Sequence, residues 1–416
     1  MNTVISKAAD SKAAPSSRPR VLAIEVEVEG HHADYVLLYA RTFLAAGVDA
    51  RFVVTPKFFR LHADVVEQVA ELDPERISIV SLTDEESTKM EKVSYLRYFH
   101  AWPLFCKYAR EYEADHGLAM YFDFYQLPML LGKKPPCPFS AIYFRPTFHY
   151  HKLANYTQTW KEWLRAKRKE VLLRRVVKQP GLSSLLCLDE IAADYIKEHF
   201  SPACQIRHIA DSFDSGTRDI QHESGIIRDL GVEPGRRIFC LQGVLDRRKG
   251  IQELLECLIH IPEEAASKIC ILLLGRLNEG HRDEIHVLVG SLQEKLSVQI
   301  ILKDEWITGS VQHYYRLSDV ILATYQGHMG SSSALIRAAV AGKPVLSSDY
   351  GLMGAITEKH KLGMIVDTGD SRAMAAALTE LATWELTSVM EELEASRYAK
   401  QHSTEQLIAD LSELVG

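Results

Sequence analysis

"YQGHMGSSSALIRAAVAGKPVLSSDYG", residues 325–351, leaves one apolar run, crosses a Gly/Ser-rich loop and a short helical pattern, and enters a second apolar run after a glycine. Strand, loop, helix and strand in that order make one unit of a parallel α/β sheet. A helix that starts near Ser333 leaves its first N–H groups without intrahelical partners, and they carry partial positive charge. Gly327 and Gly330 let a ligand approach the backbone. Ser331, Ser332 and Ser333 can donate hydroxyls to that ligand or simply cap the helix. The combination suits a phosphate. Gly342 reads as the helix stop before Lys343-Pro344 leads into the next strand. No Asp or Glu stands between Tyr325 and Lys343.

The same alternation extends in both directions. The first half predicts strands at 21–28, 49–56, 77–82, 118–124, 140–146 and 184–189. The second half predicts them at 237–243, 268–275, 297–304, 320–325, 344–349 and 363–367. Apolar strands separated by helical patterns imply parallel sheets covered on both faces, so the fold class is α/β. A polar, turn-rich stretch at 212–235 reads as a linker. It divides a Rossmann-like domain at 19–211 from a second one at 236–385, with C-terminal helices at 386–416 packing back on the first domain and a disordered tail at 1–18. Two doubly wound domains in tandem are expected to turn their strand C-terminal ends toward a central cleft.

Composition narrows the class further. A chain of 416 residues fits two domains, and 47% hydrophobic with 25% charged residues fits a globular protein with a full core. A net charge of −7 gives no bulk attraction for nucleic acid. The seven cysteines include no C-x-x-C pair, so they read as core residues of a reducing cytosol and not as a disulfide or zinc framework. No run approaches the roughly 18 apolar residues of a membrane span. A cytoplasmic protein, at most peripheral at the inner face of a membrane, is expected.

A second loop carries chemistry. "LQGVLDRRKGIQELLECL", 241–258, is again strand, glycine and helix, and it places Arg247, Arg248 and Lys249 next to one another after Gly243. A solvated charge cluster is the alternative reading. Two anion-favouring loops on one sheet edge nevertheless suggest a diphosphate.

Together, "GVLDRRKG" (243–250) and "MGSSSALIRAAVAGKPV" (329–345) resemble the C-terminal motifs of retaining nucleotide-sugar glycosyltransferases of the GT-B fold. The family is glycosyltransferase family 4, or glycosyl transferases group 1, which includes sucrose and phosphatidylinositol-mannoside synthases. "IADSFD" (209–214) and "HYYRLSDVILATY" (313–325) are similar to further family segments, and "EGHHADYVLLYARTFLAAGVDARFV" (29–53) to its first glycine loop and helix. The resemblance implies donor contacts from Gly243, Arg248, Gly330, Ser331, Ser332, Ser333 and Arg337, with Lys249 and Arg247 on the leaving diphosphate. The family's Glu-x7-Glu pair is degenerate here: its positions fall on Met329 and Arg337, and Val244 replaces the arginine after Gly243.

In the N-terminal half, Gly30, His31 and His32 lie in the glycine loop, where they can approach the diphosphate or the acceptor, and Arg145 and His149 follow a strand. These are the candidate acceptor-binding residues. Asp123 is the candidate catalytic carboxylate, placed at the end of a strand. The stretch "WKEWLRAKRKEVLLRRVVK" (160–178) has eight Lys/Arg against two Glu, with Trp and Leu interleaved. A basic amphipathic helix can lie on an anionic membrane, and a solvated helix with a buried apolar stripe is the alternative.

The expected function is sugar transfer from a nucleotide-diphosphate sugar to a carbohydrate or lipid-linked acceptor, in building a glycan or glycolipid. No cofactor is expected. The chain has no Asp-x-Asp, so metal-independent catalysis is expected. A nucleotide-sugar epimerase, a phosphorylase, or a catalytically degenerate scaffold protein are the alternatives.

Overall fold

The computed structural model describes residues 18–415 apart from 29–31, 92–95, 132–133, 154, 157, 210–219, 308–310 and 385–393. Thirteen strands form two all-parallel sheets among these residues. The first sheet holds β1 (Arg20–Glu25), β2 (Asp49–Val54), β3 (Ile77–Ser81), β4 (His116–Ala119), β5 (Phe139–Tyr143), β6 (Leu182–Cys187) and β7 (Gln205–His208). Its order is β3-β2-β1-β4-β5-β6-β7. The second holds β8 (Arg237–Gln242), β9 (Ile269–Leu274), β10 (Gln299–Lys303), β11 (Val320–Ala323), β12 (Val345–Ser348) and β13 (Gly363–Val366), in the order β10-β9-β8-β11-β12-β13.

All twelve expected strands form, most of them a residue or more shorter than the apolar runs. Two differences have physical reasons. The run 118–124 ends as a strand at Ala119, and Phe122–Phe124 turns as a 3-10 helix. β7 was not expected: it is an edge strand whose "QIRH" has only one fully buried position, so it lacks the apolar signal of the central strands. By contrast every residue of β9, "ICILLL", is buried, as a strand covered by helices on both faces must be.

The chain groups into two compact units. One comprises Met1–Pro146, Glu170–Ile209 and Ile408–Gly416, and the other Thr147–Lys169 and Ala210–Leu407. The stretch read as a linker carries a helix, Ile220–Leu230, within the second unit, and Glu223 there binds Arg316 at 2.5 Å. In the first unit, Trp102 stacks on Phe105 at 5.3 Å and packs on Phe139 and Tyr125. The second unit's core runs from Phe239 and Leu241 of β8 through β9 to Leu378 and Leu381 of the helix Ser371–Thr383. All seven cysteines are free thiols, and six of them are buried.

Each sheet reverses its strand order once, between β1 and β4 in the first and between β8 and β11 in the second. The crevice outside the strand C-termini at such a reversal is where open α/β sheets bind ligands.

Candidate active site

In the second unit the loops that leave β8 and β11 flank the reversal. Asp246 caps the 3-10 turn Arg247–Lys249 by accepting from the Lys249 backbone N–H at 3.1 Å. That turn sends the three cations in different directions. Arg247 and Arg248 are exposed, whereas Lys249 is only 7% exposed. The Lys249 ammonium donates to Gln242 O at 2.9 Å and to the Tyr325 hydroxyl, and it lies 4.4 Å from the centre of the Tyr325 ring. The Arg248 guanidinium stands over the same ring at 5.4 Å.

The Tyr325 hydroxyl also meets Ser332 Oγ at 2.7 Å. Ser332 is the N-cap of the helix Ser333–Ala341, where its Oγ accepts from Ala334 N at 3.2 Å, and Gly342 ends that helix at φ +66°. Of the two roles open to the serines, Ser332 takes the cap. Ser331 and Ser333 are exposed at the helix start, with Gly330 half-buried beside them. The basic loop and the Gly/Ser loop are thus joined through Tyr325, which the motif reading did not single out. Its only sequence signal was its place at the end of an expected strand.

Arg337 sits one turn into the helix and is partly buried. Burial lowers its pKa, while the nearby Tyr315 acts against that shift. The Tyr315 hydroxyl donates to Gln242 Oε1 at 3.3 Å, one residue before Gly243. Met329, at the other position of the carboxylate pair, accepts from Leu352 N at 3.1 Å, so the loop after β12 lies against it.

That loop borders a cavity of about 580 Å³ at the C-terminal ends of β11, β12 and β13. Its lining includes Asn155, Tyr156, Gln326, Asp349, Tyr350 and Asp367. Asn155 Nδ2 donates to Asp349 Oδ2 at 2.6 Å, and the Tyr156 and Tyr350 rings meet edge to face at 6.2 Å. Burial and then the Asp367 carboxylate raise the Asp349 pKa. Gln326 ties the cavity to the basic loop, because its N–H donates to Arg248 O and its side chain to Thr368 O, both at 2.9 Å.

The first unit presents a separate cluster at its own reversal. Gly30 and His31 lie outside the described residues. The next residue, His32, opens the helix His32–Ala45, with Nδ1 2.9 Å from the buried carboxylate of Glu25 at the end of β1. Its ring lies 5.3 Å from Tyr121 and 5.4 Å from Phe144. Asp123 stands in the 3-10 turn and not on a strand, because the strand has already ended at Ala119. Burial first, then the Asp123 carboxylate, pushes the Tyr121 phenol above its ordinary range, and Arg145 opposes them. Asp123 and the exposed Arg145 are therefore both within electrostatic reach of one phenol. His149 belongs to the second unit by contacts and is 1% exposed, its ring 5.6 Å from that of Phe148 and 4.8 Å from that of Tyr150.

Among the described residues no cluster of three or more His, Cys, Asp or Glu is arranged to hold a metal ion, and no helix is long and apolar enough to cross a membrane.

Known proteins resemble both the sequence and the architecture. Residues 224–402 match the family Glycosyl transferases group 1. A phosphatidyl-myo-inositol mannosyltransferase of Mycobacterium leprae (strain TN) is 27% identical over 147 residues, a stretch that spans 35% of this chain and 37% of that protein. The Anabaena HepE structure in complex with UDP and glucose superposes with a TM-score of 0.61 at 15% identity, over 95% of this chain and 99% of that one. A glycosyltransferase from Rickettsia africae ESF-5 gives 0.65 at 13% identity, over 96% and 98%. With two all-parallel α/β sheets, the fold is GT-B.

Proposed function

We propose that this chain is a glycosyltransferase that moves a sugar from a nucleotide-diphosphate sugar to a glycan, glycolipid or small-molecule acceptor. The observation that carries the reading is the Lys249–Tyr325–Ser332 chain at the β8/β11 reversal, beneath Arg248 and a helix N-terminus. In the reaction, the bond between the anomeric carbon and the phosphate oxygen breaks and its electron pair leaves with the diphosphate. The acceptor oxygen bonds to that carbon and passes its proton to the departing diphosphate. Fixed cations and N–H groups placed where charge develops stabilise such a leaving group. Lys249, Arg247 and Arg248 supply the charge, and Ser331 and Ser333 supply hydroxyls at the helix start. Retention of the anomeric configuration is our reading from the family resemblance. The match of residues 224–402 to the group 1 transferases and the UDP in the HepE structure support a nucleotide-sugar donor.

Metal independence is part of the proposal, since this chain's own cations occupy the role. Nucleotide-diphosphate affinity, measured by calorimetry across UDP, GDP, ADP and TDP, is expected to change less than about tenfold (~1.4 kcal/mol) on adding a chelator. A larger loss would remove this part of the reading, and no binding of any nucleotide would favour the scaffold reading instead. That second reading has its own observation: Met329 and Arg337 stand where the family keeps two carboxylates.

Asp349 and Asp367 bring carboxylates to the loop that lies against Met329, and carboxylates with aromatic rings suit a polyhydroxylated ring. We assign the cavity they line to the donor sugar. Asp349→Asn is expected to leave the affinity for the bare nucleotide diphosphate unchanged and to weaken the nucleotide sugar about tenfold, the loss of one hydrogen bond to a charged group. Equal affinities in the variant and the wild type would place the sugar elsewhere.

Lipid-linked acceptors bear on localisation. We read the protein as cytoplasmic, making peripheral contact with the inner face of a membrane through residues 160–178.

A further inference from the structure

The basic stretch at 160–178 forms a helix, Trp160–Val176, and its solvent-facing side is unlike that of an ordinary surface helix. A capping box starts it. Thr159 N–H donates to Glu162 Oε2 at 2.9 Å, and Glu162 N–H returns a bond to Thr159 Oγ1 at 3.3 Å. A conventional buried stripe holds its later turns, with Ala166, Glu170, Leu173, Val176 and Val177 all buried. The first six residues, Trp160 to Arg165, are all exposed.

Apolar side chains lie among them and beyond. Trp160 is 71% exposed, Leu164 55%, Trp163 52% and Val171 48%. At 100° per residue, Trp160, Leu164 and Val171 fall on one stripe, and Trp163 lies about 60° to one side, between that stripe and the buried one. Lys161, Lys167, Arg168 and Arg175, all exposed, flank it. The two acids lie off this face: at 100° per residue Glu162 is on the opposite side of the helix from the stripe, and Glu170 is buried against Arg174 at 2.8 Å. The apolar stripe read from the sequence as buried is therefore accompanied by a second one in water, rimmed by cations.

We propose that this face docks on an anionic lipid bilayer. Tryptophan favours the headgroup region, where its ring is buried and its N–H stays hydrated. Lysine and arginine lay their aliphatic stems along the apolar edge and carry their charges to anionic headgroups. The charge complementarity is local, because the whole chain carries −7 and an anionic bilayer would repel most of its other surfaces. An in-plane helix with an apolar stripe and a cationic rim needs both attractions, so binding requires anionic lipid and falls with salt. The inference deepens the peripheral-contact reading of 160–178 by naming the residues and the lipid class, and it does not depend on the transfer reaction.

The test is sedimentation of the full chain with phosphatidylcholine vesicles, with and without phosphatidylglycerol, at low and high salt. Binding is expected only with phosphatidylglycerol, with a blue shift of tryptophan emission and loss at high salt. The double variant Trp160→Ser, Trp163→Ser is expected to lower binding about tenfold, as is Lys161→Glu with Arg168→Glu. These side chains are exposed, so the variants should keep the wild-type melting temperature and nucleotide-diphosphate affinity. Vesicle binding unchanged in both variants would overturn the assignment while leaving peripheral contact standing. Equal binding to neutral vesicles, or none at all, would overturn the docking proposal itself. Nucleotide binding in the same preparations tests the transferase reading separately.

Discussion

Lys249→Met is expected to fold and to lose about a hundredfold in kcat, on the order of 3 kcal/mol of transition-state stabilisation. Methionine is the informative replacement because Lys249 is buried, so truncation to alanine would mix a packing defect with the lost charge. The thioether keeps the stem's volume. What it removes is the ammonium held against Gln242 O and the Tyr325 hydroxyl, which should cost about 1–2 kcal/mol of stability, readable as a lowered melting temperature. A lysine that held donor and transition state equally would change only KM. One that meets charge building on the departing diphosphate must lower kcat as well. Arg247→Ala and Arg248→Ala should lose less, since both side chains are exposed and their charges are screened by solvent. Wild-type turnover in a folded Lys249→Met protein would mean that the β8 loop does not serve the leaving group.

The burial of Lys249 was not legible in the sequence, and its reason shows where motif reading stops. "RRK" predicts three equivalent surface cations. The cap from Asp246 and the glycine after the turn decide which one points inward, and that depends on backbone geometry. The strands, the Gly/Ser loop and the helix stop at Gly342 were legible because periodicity and capping are local signals. Tyr325, Asp349 and Asp367 were legible only by position, each the last or next-to-last residue of an expected strand. Their chemistry appears once the sheet order sets those strand ends side by side. Tertiary grouping was further out of reach. Residues 147–169 follow the fifth strand in sequence but pack with the second unit, bringing Asn155 to Asp349 across 194 residues. Which of the two readings of 160–178 holds was undecided for a similar reason: the same periodicity describes a stripe against a core and a stripe in water.

The largest effect on the architecture of the site is expected from Gly275→Ala, one turn removed from the basic loop. Gly275 follows β9, and its N–H donates to Lys303 O at 3.0 Å as the strand ends. The backbone stands at φ +129°, a conformation that L residues rarely adopt. An added Cβ would also lie 1.9 Å from Gly243 O, which belongs to the neighbouring turn at the start of the basic loop. Either the β9 turn or the β8 turn must move. Gly243 in turn packs beneath the Lys249 ammonium, with a built Cβ 3.0 Å from Nζ, so displacement of its carbonyl shifts the cation that the reaction is proposed to use. Backbone strain of this kind costs about 1–3 kcal/mol, and an overpacked contact with rigid backbone adds about as much again. The variant should therefore melt well below the wild type, or fail to fold. If it folds, nucleotide-diphosphate affinity and kcat should fall together, in contrast to Lys249→Met, where kcat falls most. A Gly275→Ala protein with wild-type melting and wild-type nucleotide affinity would show that the two turns are not in contact. The path from the β9 turn through Gly243 to Lys249 would then be broken.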